Sequence, residues 1–355
     1  MNEEEPVVIH GLVCPRPLTH DDTIVLGHGS GGRMTQELIA RTFYPPLENP
    51  LLLRGDDAAI FETPPSGRMA FCTDAHIVSP LFFPGGDIGR LSICGTVNDL
   101  AVMGARPLWL TASFILEEGL PIFVLEEALK SMRTAAEEAG VKVVAGDTKV
   151  AERGKADGIF ISTAGVGMIP DGREVGGRLA RPGDVVLVSG PLGDHGMAVL
   201  AARGELSFEA EIRSDIAPLS GLIEAMFEAS DGIHVLRDPT RGGVATTLTE
   251  IARQSHMGIV LEEAVIPVRE PVAAACEMLG FDPLYVANEG KLIAIVTPEA
   301  EADVLAAMRA HPLGRESVRI GQVTEENPGR VLMKTGIGGM RVVEALSGEM
   351  LPRIC

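Results

Sequence analysis

A chain of 355 residues, 46% of them hydrophobic, exceeds the ~250–300 residues at which a single core usually stops growing, so two domains are expected. With 49 acidic against 30 basic residues, the formal charge of −19 repels nucleic-acid phosphates and anionic membranes, and neither is expected as a partner. No apolar run approaches the ~18 residues of a membrane span, and the acidic opening Met1-Asn2-Glu3-Glu4-Glu5-Pro6 is unlike a signal peptide.

In chain order, residues 23–26 read as a short strand, followed by the turn Gly27-His28-Gly29-Ser30-Gly31-Gly32 and a helix near 34–43. The Gly27-x-Gly29-x-x-Gly32 spacing is compatible with a dinucleotide fingerprint, a phosphate-facing loop or a plain structural turn. Asp56 and Asp57 precede an apolar run at 58–61, not the strand end where a Rossmann ribose-binding acid belongs. No Walker A sequence occurs, because Gly290-Lys291 lacks the following Ser or Thr. A strand at 69–73 ends at Asp74. Residues 87–103 have helical spacing through Leu91, Cys94, Val97, Leu100 and Ala101, yet carry Asn98 and Asp99, a polar pair that wants a partner. A strand near 108–116, a helix near 121–139, a strand at 141–144 ending in Gly146-Asp147-Thr148-Lys149 and a strand at 158–166 follow.

The Gly-rich, charged stretch at 171–184 marks the boundary between domains at 1–170 and 171–335. Beyond it come a buried-strand pattern from Val185 to Gly190, the turn Pro191-Leu192-Gly193-Asp194-His195-Gly196 and a helix at 197–203. Helices near 219–229, 243–255, 270–279 and 299–310 interleave with strands near 233–237, 258–262, 291–296, 318–323 and 330–334, an α+β or α/β layer arrangement. Residues 336–355 hold four glycines and little periodicity, which predicts a flexible tail.

Asp56, Asp57, Asp74, Asp99 and Asp147 each sit beside a strand or inside an apolar helix. Singly each reads as a cap or turn residue; together they suggest a multi-carboxylate Mg²⁺ site. Lys149, two residues after Asp147, shares its face on an extended segment. It reads either as a surface lysine beside an acid or as a group that reaches a phosphate or serves as a base. Asp238-Pro239-Thr240-Arg241-Gly242-Gly243 leads into a helix whose N-terminal amides suit an anion, with capping by Thr240 as the plainer role. Glu289 by itself is a turn acid before a strand.

Five widely spaced cysteines (Cys14, Cys72, Cys94, Cys276, Cys355) without a C-x-x-C pair argue against a disulfide framework or a thiolate zinc site and for the reducing cytosol. Cys355 is the last residue, not fourth from the end, so it is no prenylation box. An exposed terminal thiol is a liability that calls for a function, a chance terminal cysteine being the alternative.

These residues carry a family likeness. His28-Gly29-Ser30-Gly31-Gly32, Gly55-Asp56-Asp57-Ala58-Ala59, Thr73-Asp74, the run from Asn98 to Gly104, Ala145-Gly146-Asp147-Thr148-Lys149, the run from Asp238 to Gly243, Asn288-Glu289-Gly290 and the ending Pro352-Arg353-Ile354-Cys355 resemble the HypE family of hydrogenase expression/formation proteins over nearly the whole length. The ending is the most specific of these. The Asp-rich motifs are shared with aminoimidazole ribonucleotide synthetase, thiamine-monophosphate kinase and selenophosphate synthetase.

The resemblance implies an α+β, two-domain aminoimidazole ribonucleotide synthetase-like fold with an α/β C-terminal domain. Its N-terminal sheets pair across a homodimer, and ATP and Mg²⁺ bind mainly to the N-terminal domain. It implies cofactor contacts from Gly29, Ser30, Gly31, Gly32, Asp56, Asp57, Asp74, Asn98, Asp147 and Arg241, metal ligation by Asp56, Asp57, Asp74, Asp99 and Asp147, and proton handling by Lys149 and Glu289. In that family a carbamoyltransferase, HypF, loads Cys355's counterpart with a carbamoyl group. ATP then dehydrates it to a thiocyanate, and a HypC–HypD complex accepts the cyanide for the iron of nickel-iron hydrogenase. Two alternatives stand beside this: a small-molecule kinase or synthetase with an incidental Cys355, and a thiol carrier without catalysis. Selenophosphate synthesis would call for a reactive Cys or selenocysteine near residues 27–32, which hold none.

Overall fold

The computed structural model describes residues 22–25, 28, 37–50, 53, 67–204, 211–346, 351 and 353–355. Gly29, Ser30, Gly31, Gly32, Asp56 and Asp57 therefore lie outside the described residues. The strand expected at 23–26 is represented by a single bridge from Thr23 to Pro121.

The first half runs β1 (Arg68–His76), the ribbon β2 (Phe82–Phe83) and β3 (Gly86–Asp87), α1 (Ile88–Val102), β4 (Arg106–Glu117), α2 (Ile122–Ala139), β5 (Lys142–Ala151) and β6 (Ile159–Ile169). Asp87 starts α1 by accepting from the amides of Gly89 (2.7 Å) and Arg90 (3.1 Å), which satisfies two orphan donors of the first turn. A left-handed Gly140 ends α2.

The strands form a four-stranded sheet in the order β1-β6-β4-β5, parallel only between β4 and β5. Alternation sends Leu110, Ala112, Phe114 and Leu116 of β4 and Ile159 and Ile161 of β6 into one core with Leu91, Ile93, Leu125 and Leu129 of the helices. On the other face Phe71, Met69 and Ile115 are exposed, Phe71 by 74%.

The second half runs β7 (Val185–Val188), α3 (Asp194–Ala202), α4 (Ser220–Ala229), β8 (Ile233–Arg237), α5 (Gly243–Ser255), β9 (Gly258–Glu262), α6 (Glu270–Leu279), β10 (Ile293–Val296), α7 (Glu301–Ala310), β11 (Val318–Thr324), β12 (Val331–Lys334) and β13 (Met340–Val343). Its seven strands lie in the order β13-β12-β9-β11-β7-β10-β8. Val186, Val188, Ile293 and Ile295 pack with Leu248 and Ile251 of α5 on one side. Val185, Leu187, Ala294 and Val296 pack with Leu222 and Met226 of α4 and Val304 and Met308 of α7 on the other. Burial on both faces is why these strands read as unbroken apolar runs.

Helix α1 joins the halves. Leu91, Ile93, Cys94 and Val97 belong to the first core, whereas Ala101 and Val102 belong to the second.

Two expectations are corrected. The strand expected to end at 144 continues to Ala151, because the ladder with β4 carries Asp147 opposite Ser113 and Lys149 opposite Ile115. The stretch from residue 336 expected as a flexible tail holds a strand, since Met340–Val343 pair with β12 at the sheet edge, and its last described residues are docked. Among the described residues no helix is long and apolar enough to cross a membrane.

Candidate active site

Strand β1, helix α1, the loop before α5, the loop before β10 and the chain terminus meet at one small cavity of about 180 Å³ lined by Asp74, His76, Asp99, Arg241, Glu289 and Cys355 among others. The inner-face positions of β1 supply Asp74 and His76. Gly95 of α1 sits opposite them, where a Cβ would lie 3.0 Å from Asp74 Oδ2 and 2.9 Å from His76 Cε1, so a side chain there would fill the cavity floor. Such a volume is below the ~300–1,000 Å³ of pockets that enclose a drug-sized ligand. It suits a thiol-borne group, not a whole nucleotide.

Glu289 is buried and shares the cavity lining with the Cys355 thiol. Its Oε1 has no hydrogen-bond partner among the described residues. Burial, followed by the charges of Asp238, Asp215 and Asp74, raises its carboxyl well above the usual range. Burial and then Glu289 likewise push the Cys355 thiol well above its ordinary value, while Arg241 pulls it down. Burial raises Asp99 to about 7 and Asp238 to about 6, helped by neighbouring carboxylates.

The backbone around Glu289 is tightly held. Asp215 Oδ1 accepts from the Glu289 amide (3.1 Å), and Asp215 Oδ2 is 3.0 Å from Lys291 Nζ. Burial alone would raise Asp215; the Lys291 charge, His195 and the hydrogen bonds from the Glu289 amide and Lys291 together outweigh it and hold the carboxyl below its ordinary value. Gly290 is required here, because a Cβ would lie 1.7 Å from the Asp215 carbonyl oxygen. Asn288 donates to the carbonyls of Pro239 and Val286 (both 3.0 Å) and accepts from the Gly193 amide (2.8 Å).

The terminus is docked. Ile354 is 3% exposed, and Cys355 packs against the first core. His195 Nε2 lies 2.8 Å from the Ile354 carbonyl oxygen. Arg203 Nη2 donates to the Arg353 carbonyl (3.1 Å), as does the Ser79 amide (3.1 Å), and Arg353 forms an ion pair with Asp157.

The structure thus unites Asp74, Asp99, Arg241, Glu289 and Cys355, but not Asp147 and Lys149. Asp147 and Lys149 pair with each other at 2.7 Å on the exposed face of β5. That strand is the opposite edge of the sheet from β1, three spacings or roughly 14 Å away at ~4.8 Å per strand. A single chain therefore does not gather the five aspartates, and among the described residues no group of three or more His, Cys, Asp or Glu is arranged to hold a metal ion.

Asn98, expected to touch a cofactor, is buried and spends its amide on a clamp. It donates to the carbonyls of Ala217 (3.1 Å) and Glu289 (3.3 Å) and accepts from the Leu219 amide (2.8 Å). Sequence reasoning assigned no site role to His76, His195, Arg203, Asp215, Asp238 or Lys291. The Asp238-Pro239-Thr240-Arg241 run was a signal for Asp238; Asp215 lies in an irregular segment without one.

Two family profiles match the chain: the AIR synthase related protein N-terminal domain over residues 55–169 and its C-terminal domain over residues 181–334. The carbamoyl dehydratase HypE of Cupriavidus necator is 57% identical over 342 residues, covering 96% of this chain and 97% of that protein. A crystal structure of the hydrogenase maturation protein HypE in complex with ATP superposes with a TM-score of 0.90 at 47% identity, covering 94% of this chain and 100% of that one. The HypE–HypF complex structure matches with a TM-score of 0.77 at 47% identity, covering 89% and 100%. The chain belongs to the HypE family of carbamoyl dehydratases, within the AIR synthase related proteins.

Proposed function

We propose that this protein uses ATP to dehydrate a carbamoyl group carried on its own Cys355, giving the thiocyanate that supplies cyanide for the iron of nickel-iron hydrogenase. The observation that carries this is the seating of the Cys355 thiol beside the buried Glu289 in a carboxylate-lined cavity. A chance terminal cysteine has no reason to be seated there.

The thiocarbamate oxygen is a poor leaving group until it receives the γ-phosphoryl of ATP. The carbon–oxygen bond then breaks, the oxygen departs with phosphate, and both N–H protons go to bases, leaving S–C≡N with ADP and phosphate. Glu289 faces the sulfur and, with its raised basicity, takes the first of these protons once ionised. Arg241 offsets negative charge at the same spot. Asp74 and Asp99, which both line the cavity, are assigned to a hard cation as two of its carboxylate ligands, and Asp56 and Asp57 are assigned to it by the motif they match. Magnesium there would neutralise phosphate charge. Gly29, Ser30, Gly31 and Gly32 are assigned to the nucleotide phosphates by the motif they match.

Two copies are proposed to pair through the uncovered face of the four-stranded sheet. Phe71, Met69 and Ile115 make that face apolar, and it is the face that presents Asp147 and Lys149. Pairing would bring these residues from a second copy toward the nucleotide, which accounts for a proton-handling Lys149 remote from the cavity of its own chain. HypF is the proposed carbamoyl donor and a HypC–HypD complex the acceptor. A cytosolic location fits free Cys72, Cys94, Cys276 and Cys355.

The test is mass spectrometry of the C-terminal peptide after incubation with HypF, carbamoyl phosphate and ATP. Loss of one water only when ATP is present is expected; carbamoylation without that loss would overturn the assignment.

A further inference from the structure

The turn Pro191-Leu192-Gly193-Asp194-His195-Gly196 has no part in the chemistry above, yet it touches the chain terminus. His195, in the first turn of α3, is fully buried, with the ring of Phe83 edge-on at 5.6 Å. Its two nitrogens have separate partners. Nδ1 lies 2.9 Å from Ser214 Oγ, and Nε2 lies 2.8 Å from the Ile354 carbonyl oxygen.

A carbonyl only accepts, so Nε2 carries the proton and Nδ1 accepts from the Ser214 hydroxyl. That hydroxyl in turn accepts from the Ile216 amide (3.2 Å), which leaves its own proton for His195. The tautomer is thereby set by a chain of partners with one consistent direction.

These contacts share one target: the backbone of the residue before Cys355. We propose that His195 is a positioning residue, clasping the Ile354 carbonyl through Nε2 and so setting how deeply the Cys355 sulfur is seated beside Glu289. The clasp grips main chain, one residue away from the thiol, so it holds the arm equally whether the sulfur is free or carries a carbamoyl group. Arg203 and the Ser79 amide grip the preceding carbonyl, that of Arg353, which turns through a left-handed φ of 52° toward the cavity.

The inference rests on Cys355 as the reacting group, but it can be tested without the reaction. Iodoacetamide labelling of Cys355 in the unmodified full chain, followed on the C-terminal peptide by mass spectrometry, reads how often the thiol leaves its seat. His195→Met keeps the volume and removes the donor; it is expected to label about tenfold faster, the change made by one hydrogen bond of ordinary net strength. His195→Gln keeps an N–H donor at similar reach and is expected to stay within about threefold of the parent.

In a HypF, carbamoyl phosphate and ATP assay the Met variant should lose dehydration rate while still accepting the carbamoyl group, with the Gln variant rescuing it. A folded Met variant that labels at the parent rate, or a Gln variant that labels as fast as Met, overturns the clasp. Should the Met variant fail to fold, Ser214→Ala, which frees the ring to turn, takes its place and must label at least twofold faster. Failure of the parent protein itself to dehydrate would instead sink the role of Cys355 and leave the labelling result standing.

Discussion

The two sheets of this protein handle burial in opposite ways. In the seven-stranded sheet both faces are covered by helices, and its central strands β7 and β10 have no exposed residue. The four-stranded sheet covers one face with α1 and α2 and leaves Phe71, Met69 and Ile115 bare on the other. The covered side of β1 supplies Asp74 and His76 to a small cavity, whereas the bare side of β5 presents an Asp147–Lys149 pair to solvent. The two groups proposed to handle protons, Glu289 within and Lys149 without, thus occupy environments that differ in dielectric as much as in place.

The sharpest way to break that contrast is to remove the group on which the enclosed side acts. Cys355→Ala should abolish carbamoyl loading altogether, seen as an unmodified C-terminal peptide, while circular dichroism and melting temperature stay near the parent. Global unfolding of that variant would show that the terminus is a core element and not a substrate arm. Next, Glu289→Gln should still accept the carbamoyl group but slow dehydration by roughly 10²–10⁴-fold, the usual contribution of a positioned base. In the parent the dehydration rate should rise with pH as Glu289 ionises, because its carboxyl is held well above the ordinary range. A pH profile that is unchanged in the Gln variant would remove the assignment.

The bare face is tested by Phe71→Asp, which puts a charge in the centre of the apolar patch. Light scattering should report a shift from dimer to monomer, with a dehydration loss of at least tenfold, and Lys149→Ala should reproduce the activity loss while remaining dimeric. An exposed ion pair contributes little to folding, so Lys149→Ala should leave stability within about 0.5 kcal/mol.

The remaining effect is on folding and not on turnover, and it concerns the enclosed carboxylates. Asp99 at about 7 and Asp238 at about 6 bind protons more tightly folded than unfolded, where 3.8 is ordinary. The folded state therefore loses stability as pH rises through that window. In magnesium-free urea titrations Asp99→Asn should narrow the stability difference between pH 5 and pH 8 by roughly 2–3 kcal/mol, and an unchanged difference would show that Asp99 is better solvated than its surroundings indicate.

Much of the covered side was legible before any coordinates. Alternation in β4 and the unbroken runs of β7 and β10 predicted strands within a residue or two, and the apolar spacing of α1 predicted a helix whose Asn98 and Asp99 needed partners. Those partners proved to differ in kind. Asn98 clamps backbone from residues 217, 219 and 289, while Asp99 faces the cavity. Strand β5 runs past the end its sequence predicts, because pairing with β4 overrides the turn-like local preference of Gly146 and Asp147.

By itself, then, the order of residues determined the two layered halves, the terminal thiol and the acids at element edges, since periodicity and chain position are local properties that can be read along one dimension. Only the tertiary structure decided which of those acids share a cavity. Strand order and face parity place Asp74 and Asp147 on opposite edges and opposite sides of one sheet, and no spacing along the chain encodes that. The same holds for the His195 grip on Ile354, which joins residues 159 positions apart through a fold that buries both.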